Sequence, residues 1–165
     1  MTAPTYGSLF TGVGGLDLGV EAAGFEPRWQ VEIDPWCRAL LRARWPNVAQ
    51  YEDVDRVEWQ TVQPVDLIVG GFPCQPVSVA GRQRAQEDAR WLWPAFAAAI
   101  SAIRPHYVLV ENVRNLLAVN GGSAMAEVLG SLAGFGYDAE WDVLGADAFG
   151  APHRRDRIII RAWRT

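Results

Sequence analysis

The stretch Val65-Asp66-Leu67-Ile68-Val69-Gly70-Gly71-Phe72-Pro73-Cys74-Gln75-Pro76 joins an apolar run to a proline-braced turn that carries a thiol. A short apolar run without polar alternation reads as a strand buried on both faces, as in a parallel sheet. The turn that ends such a strand is where an α/β protein places reactive groups. Cys74 is therefore the candidate nucleophile, although a lone cysteine can also simply pack. Cys37, the other cysteine, follows Trp36 in a helix-like stretch and reads as a small apolar filler.

Strand-like and helix-like segments alternate on both sides of this stretch. Strands are expected near 6–10, 28–33, 66–69, 107–111, 139–144 and 157–162, with a further short strand ending near Asp53. Helices are expected over 15–23, 35–45, 91–103 and 123–135, the last with Ser123 as its N-cap. This alternation is the signature of βαβ units, hence an α/β class with a mostly parallel, doubly wound sheet and helices on both faces. With 165 residues, 50% of them hydrophobic, the chain reads as one domain, 1–165, able to bury a proper core. The long stretch 78–90, rich in Gly, Gln, Arg and acid, has no clear periodicity; a loop of that length in a compact domain is usually functional.

The first residues carry neither a basic region nor an apolar core of signal-peptide type, and 91–103 is well short of the roughly 20 apolar residues that span a bilayer. A cytoplasmic protein with reduced thiols and no membrane partner is expected. The net charge of −4 argues against a simple basic nucleic-acid binder. Its distribution says more: all 15 basic residues are Arg, with Arg154, Arg155, Arg157, Arg161 and Arg164 gathered at the end and Arg82, Arg84 and Arg90 following Cys74. Acids gather elsewhere, at Glu32, Asp34, Glu52, Asp53, Asp55 and Glu58, which suggests one face for a cationic or hydroxylated ligand and another for an anion. Two ordinary solvated faces would look the same on charge alone.

The first strand runs into Phe10-Thr11-Gly12-Val13-Gly14-Gly15-Leu16, a glycine-rich turn that opens a helix and lets backbone N–H groups approach a ligand. Seventeen residues beyond Gly15 stands Glu32, where an acid in such a fold accepts hydrogen bonds from ribose hydroxyls. Asp53 is placed to read an adenine amino group. Either acid alone reads more readily as a solvated loop carboxylate; together in this order the two point to an adenosyl cofactor. The strand after the one that delivers Cys74 ends in Glu111-Asn112-Val113. Adjacent parallel strands end at the same sheet edge, so Glu111 is expected to face Cys74 across one pocket as a proton donor.

Phe10-Thr11-Gly12-Val13-Gly14-Gly15, Val31-Glu32-Ile33-Asp34, Gly71-Phe72-Pro73-Cys74-Gln75-Pro76, Glu111-Asn112-Val113 and Pro152-His153-Arg154-Arg155-Asp156-Arg157, in that order and spacing, resemble the signatures of the cytosine-5 DNA methyltransferases. The resemblance spans nearly the whole chain, and the Pro-Cys-Gln turn with its downstream Glu-Asn-Val is its most specific part. It implies a Rossmann-like fold that binds S-adenosylmethionine, and DNA with a flipped cytosine as substrate. By the same resemblance Cys74 is the nucleophile at cytosine carbon 6, Glu111 holds and protonates ring nitrogen 3, Arg155 contacts the base carbonyl, Arg157 supports the site and Asn112 orients the Pro-Cys turn. The cofactor would sit against Phe10, Gly12, Val13, Gly14, Gly15, Glu32, Ile33, Asp53, Val54 and Pro73. Gln75, Ser78, Arg82, Arg84 and Arg90 would meet DNA, on a segment that resembles the family's closing loop, and no metal is expected.

Two departures stand out. The family continues past the arginine motif into a target-recognition region and a last helix against the cofactor site, whereas these residues run to Thr165; and His153 stands where Gln is usual. His106 reads as an ordinary residue at the start of a strand. An autonomous DNA methyltransferase, the catalytic half of a split enzyme that needs a second polypeptide, and a non-catalytic cofactor- or DNA-binding module all remain compatible readings, with an RNA methyltransferase of the same family a further one.

Overall fold

The computed structural model describes residues 2–73 and 91–165. Strands β1 (Thr5–Leu9), β2 (Glu26–Val31), β3 (Ala49–Tyr51), β4 (Leu67–Gly70), β5 (Tyr107–Val113), β6 (Tyr137–Gly145) and β7 (Asp156–Arg164) form one sheet in the order β3-β2-β1-β4-β5-β7-β6. The first five are mutually parallel, while β7 runs antiparallel to both β5 and β6. The sheet is thus mostly parallel, as the segment alternation requires. Its switch point lies between β1 and β4, from which strand order runs outward in both directions, and ligands of such sheets bind outside the carboxyl ends of these strands.

Helices α1 (Gly15–Ala22), α2 (Pro35–Arg44), α3 (Trp93–Ile103) and α4 (Ser123–Gly134) cover the sheet. Alternating side chains of each strand serve opposite faces. Tyr6, Leu67 and Val69 meet Val20 and Leu16 of α1, and α2 is tied to the same layer by the Trp45 indole, whose Nε1 donates to Glu21 at 2.7 Å. Leu9, Ile68, Val108 and Val110 point the other way, into a larger core with Phe96, Ile100, Val128 and Leu132 of α3 and α4. Helices therefore lie on both faces. The connection from β3 to β4 is not an α-helix: two short 3₁₀ turns, Val54–Arg56 and Trp59–Thr61, carry Val54, Trp59 and Val62 into the larger core beside Trp29.

Several local features differ from the sequence-based expectation. Ser123 is the first helical residue of α4 rather than its cap; Gly122, at φ 91°, precedes it and supplies no side chain. Asp34, by contrast, caps α2, accepting from the N–H groups of Trp36 and Cys37 at 2.8 and 2.9 Å, with Pro35 at the first helical position. Cys37 is half-buried in that first turn rather than packed in the core, and partial burial together with the neighbouring Asp34 pushes its thiol pKa up, away from thiolate chemistry. Asp17 is fully buried on α1, where it accepts from Tyr6 Oη (3.3 Å), Ser8 Oγ (2.9 Å) and Gln30 Nε2 (2.8 Å), a polar tie among β1, β2 and α1. Among the described residues no helix is long and apolar enough to cross a membrane.

Candidate active site

A pocket of about 440 Å³ opens at the carboxyl ends of β1, β2, β3 and β4, lined by Phe10, Val31, Glu32, Ile33, Glu52, Asp53, Val54, Asp55, Gly71, Pro73 and Leu92. Six residues expected at a cofactor site, Phe10, Glu32, Ile33, Asp53, Val54 and Pro73, therefore share one wall system. Glu52 and Asp55 join them, and the only signal for these two in the sequence is their place in the acid-rich stretch. Among the described residues, four carboxylates and no basic side chain line the space. Such walls repel phosphates and suit a ligand that brings positive charge, hydroxyls and amino hydrogens.

The glycine-rich turn contributes differently from its expected role. Gly12, Val13, Gly14 and Gly15 are not among the pocket's lining residues. The Gly12 N–H donates to Glu32 Oε2 at 2.6 Å, and the Gly14 N–H closes a turn onto the Thr11 carbonyl at 3.0 Å, so neither is free to cradle an anion. The other Glu32 oxygen accepts from the Asp34 N–H at 2.8 Å. Gly14 is at φ +85°, and a Cβ there would stand 2.5 Å from the Trp45 ring. Its glycine serves the packing of α1 against α2, and the turn shapes the site by holding Glu32 in place.

The second cluster stands on β5 and β7, which place Glu111 and Arg157 on the same sheet edge as the pocket. Arg157 Nε lies 2.7 Å from Glu111 Oε1, with both side chains about three-quarters buried at 22% and 27% exposure. The other oxygen, Oε2, faces Gly71: a Cβ at Gly71 would come within 2.8 Å of it. Only glycine lets the chain that leads to Cys74 pass so close to this carboxylate. Asn112, 3% exposed, donates from Nδ2 to the Phe72 carbonyl at 3.0 Å and accepts from the Val113 N–H at 2.8 Å. Phe72 is clamped from the other side by edge contacts to Trp91 and Phe96, with ring centroids 5.3 and 6.3 Å away. The two residues before Pro73 are thus held by β5 and by the aromatic core, and Gly71 and Pro73 also line the acidic pocket.

Cys74, Gln75, Ser78, Arg82, Arg84 and Arg90 lie outside the described residues. Arg155 is exposed on the connection that follows the 3₁₀ turn Ala146–Phe149; its carbonyl accepts from the Ala146 N–H at 3.2 Å, and among the described residues its guanidinium has no partner. The neighbouring Asp156 accepts from Arg154 and Arg114, each at 3.3 Å, and the Arg154 hydrogen bond leads in holding its carboxyl below the usual range. Arg154 and Arg114 are therefore spent on a surface ion network, which leaves Arg155 as the motif's unpaired arginine among the described residues. His153 is exposed, and His106 immediately precedes β5, where its carbonyl accepts from the Arg164 N–H.

A family model of C-5 cytosine-specific DNA methylases matches residues 5–165. The type II methyltransferase M.PspPI of Psychrobacter is 41% identical over 161 residues, covering 95% of this chain and 39% of that protein. M.AquIA of Picosynechococcus is 33% identical over 171 residues, covering 93% of this chain and 69% of the relative. A solved prophage-encoded E. coli protein, assigned as a DNA modification methyltransferase, superposes with a TM-score of 0.83 at 28% identity, covering 98% of this chain and 47% of that one. The S. pombe Dnmt2 methyltransferase, at 19% identity and a TM-score of 0.79, shares the fold over 98% of this chain and 51% of its own. The chain thus spans about two fifths of the first curated relatives, 39% and 41% of their lengths. Sequence order, sheet topology and the family match agree: this chain belongs to the C-5 cytosine-specific DNA methylase family.

Proposed function

We propose that this chain is the catalytic and cofactor-binding part of a DNA cytosine-5 methyltransferase, one domain over residues 1–165, that uses S-adenosylmethionine and acts in the cytoplasm. The observation that carries the reading is the Glu111 carboxylate, gripped by Arg157 through one oxygen and turned by the other toward Gly71, three residues before Cys74 in the chain. The acidic pocket beside it fits the cofactor, which brings an electrophilic methyl group on a sulfonium cation together with ribose hydroxyls and an adenine amino group. In that fit Glu32 and Asp53 take the nucleoside's donors, and Phe10, Ile33, Val54 and Pro73 give apolar contact.

Cytosine carbon 5 is a weak nucleophile. Addition of the Cys74 thiolate to carbon 6, with a proton delivered to ring nitrogen 3 by Glu111 in its carboxylic acid form, converts the ring to an enamine whose carbon 5 can attack a methyl donor. After methyl transfer, solvent water takes the carbon 5 proton and Glu111 takes back the nitrogen 3 proton, which expels the thiolate and restores the aromatic ring. Arg155 takes the base carbonyl and stabilises charge that builds on the ring; Arg157 fixes the angle of Glu111; Asn112 fixes Phe72 and with it the turn. The target base must leave the duplex to reach this edge. Gln75, Ser78, Arg82, Arg84 and Arg90 are assigned to contacts with the DNA around it.

A second polypeptide, or further chain of the kind the relatives possess, completes the enzyme in this reading. What favours it is an apolar groove of about 270 Å³ between α1 and the sheet, lined by Leu16, Val20, Phe25, Leu67 and Leu109, beside the half-exposed Tyr107 and Trp163. Incubation with mixed-sequence DNA containing 5-fluorocytosine, together with S-adenosylmethionine, tests the chemistry. A covalent protein–DNA complex is expected, with or without the completing polypeptide, and none with Cys74→Ser; a complex that forms equally well in that variant refutes the assignment.

A further inference from the structure

Arg38 carries no role in the chemistry above, yet its side chain is only 11% exposed and turns back from the first turn of α2 toward the pocket wall. Its Nη1 donates to the carbonyls of Glu32 at 3.1 Å and Ile33 at 2.7 Å, and its Nη2 lies 3.0 Å from Glu52 Oε1. Those three partners all line the acidic pocket, two from the end of β2 and one from the end of β3. Just past the ladder that pairs Val31 with Tyr51, the Glu32 N–H donates to the Tyr51 carbonyl at 3.1 Å.

We propose that Arg38 is a positioning residue for the cofactor: its guanidinium spans the ends of β2 and β3 and sets the separation of the Ile33 and Glu52 walls that enclose the nucleoside. This rests on the reading of that pocket as the S-adenosylmethionine site. Energetics separate the role from ordinary stabilisation. Glu52 is 74% exposed, so the ion pair itself contributes little. Among the described residues Arg38 Nε is buried without a hydrogen-bond partner, so the side chain is not satisfied as a stabilising group alone would be. The two carbonyls, by contrast, stand where the strand has ended and the helix has not begun, so a charged planar donor holds backbone that no ladder holds. The guanidinium also offsets one of four pocket carboxylates, which keeps the walls from repelling each other.

The test uses the full chain, S-adenosylhomocysteine as probe, and calorimetric titration at a temperature where every variant is folded, with Tm recorded alongside. Arg38→Met keeps the stem and removes the donors; Arg38→Lys keeps one charged donor that can reach one carbonyl. The dissociation constant is expected to rise about tenfold in Arg38→Met, as for loss of a residue that sets site geometry, and by less in Arg38→Lys. An unchanged dissociation constant in Arg38→Met, whatever its Tm, overturns the inference, because a purely structural role moves Tm alone. If Arg38→Met does not fold, Arg38→Lys decides in the same way, weakened binding supporting the inference and unchanged binding overturning it. A wild-type chain that binds no S-adenosylhomocysteine overturns the reading of the pocket itself, and this inference with it.

Discussion

Gly71 carries more of this site than its lack of a side chain suggests. Its backbone passes so close to Glu111 Oε2 that a methyl group would stand 2.8 Å from the carboxylate oxygen. Gly71→Ala should therefore displace either Glu111 or the turn that leads to Cys74, and methyl transfer should fall by about a hundredfold, since small misplacements of reacting groups carry penalties of that order. Steady-state kinetics on DNA check this; a rate within twofold of wild type would mean that Glu111 does not work from this position. Asp17 offers a second test, of stability rather than turnover. Burial, only partly opposed by the bonds from Gln30, Ser8 and Tyr6, raises its carboxyl pKa above the ordinary value. The folded protein then holds this proton to higher pH than the unfolded chain does. Its contribution to stability is full below the unfolded pKa of about 3.9 and is lost as pH rises through the folded value. Asp17→Asn stays neutral throughout, so its Tm relative to wild type should climb as pH rises above about 4; a difference that stays flat would show that Asp17 does not hold a proton in the folded state.

Strand β5 does three tasks by simple alternation. Val108 and Val110 enter the larger core, Asn112 on the same face reaches the Phe72 carbonyl, and Glu111 on the opposite face meets Arg157. One register shift would exchange every one of these partners, which is why the pairing of Glu111 with Ile159 and of Val113 with Arg157 across the antiparallel β7 matters to chemistry. Asn112→Leu keeps the branched shape but strands the Phe72 carbonyl in the core, a cost of about 1–3 kcal/mol. Urea unfolding should show that loss, and trapping by 5-fluorocytosine DNA should slow in parallel. A stability loss with trapping at the wild-type rate would separate Asn112 from the Pro-Cys turn.

Across the domain, the acidic pocket makes a selective prediction. A ligand present at a hundred times its dissociation constant stabilises the native state by about 2.7 kcal/mol, which for a chain of this size raises Tm by about 5–10 °C. S-adenosylhomocysteine should produce a shift of that size in a thermal melt, while NAD, whose pyrophosphate would meet four carboxylates, should produce none. Equal shifts from both would contradict the electrostatic reading of the walls. The same pocket is bounded by the ends of four parallel strands, so its shape depends on the whole sheet and not on any one loop.

The α/β class, the strand and helix succession and the family motifs are legible in the linear order, because periodicity and short motifs are local properties of a chain. Folding alone settled partners. Glu32 turned out to hold the glycine turn, Glu52 and Asp55 to share its pocket, Gly71 to stand against Glu111, and Asp17 to be sealed under α1. These are contacts between residues far apart along the backbone, and they arise only when strands with no sequence adjacency are laid side by side; no local pattern encodes which carboxylate a glycine 40 residues away will meet.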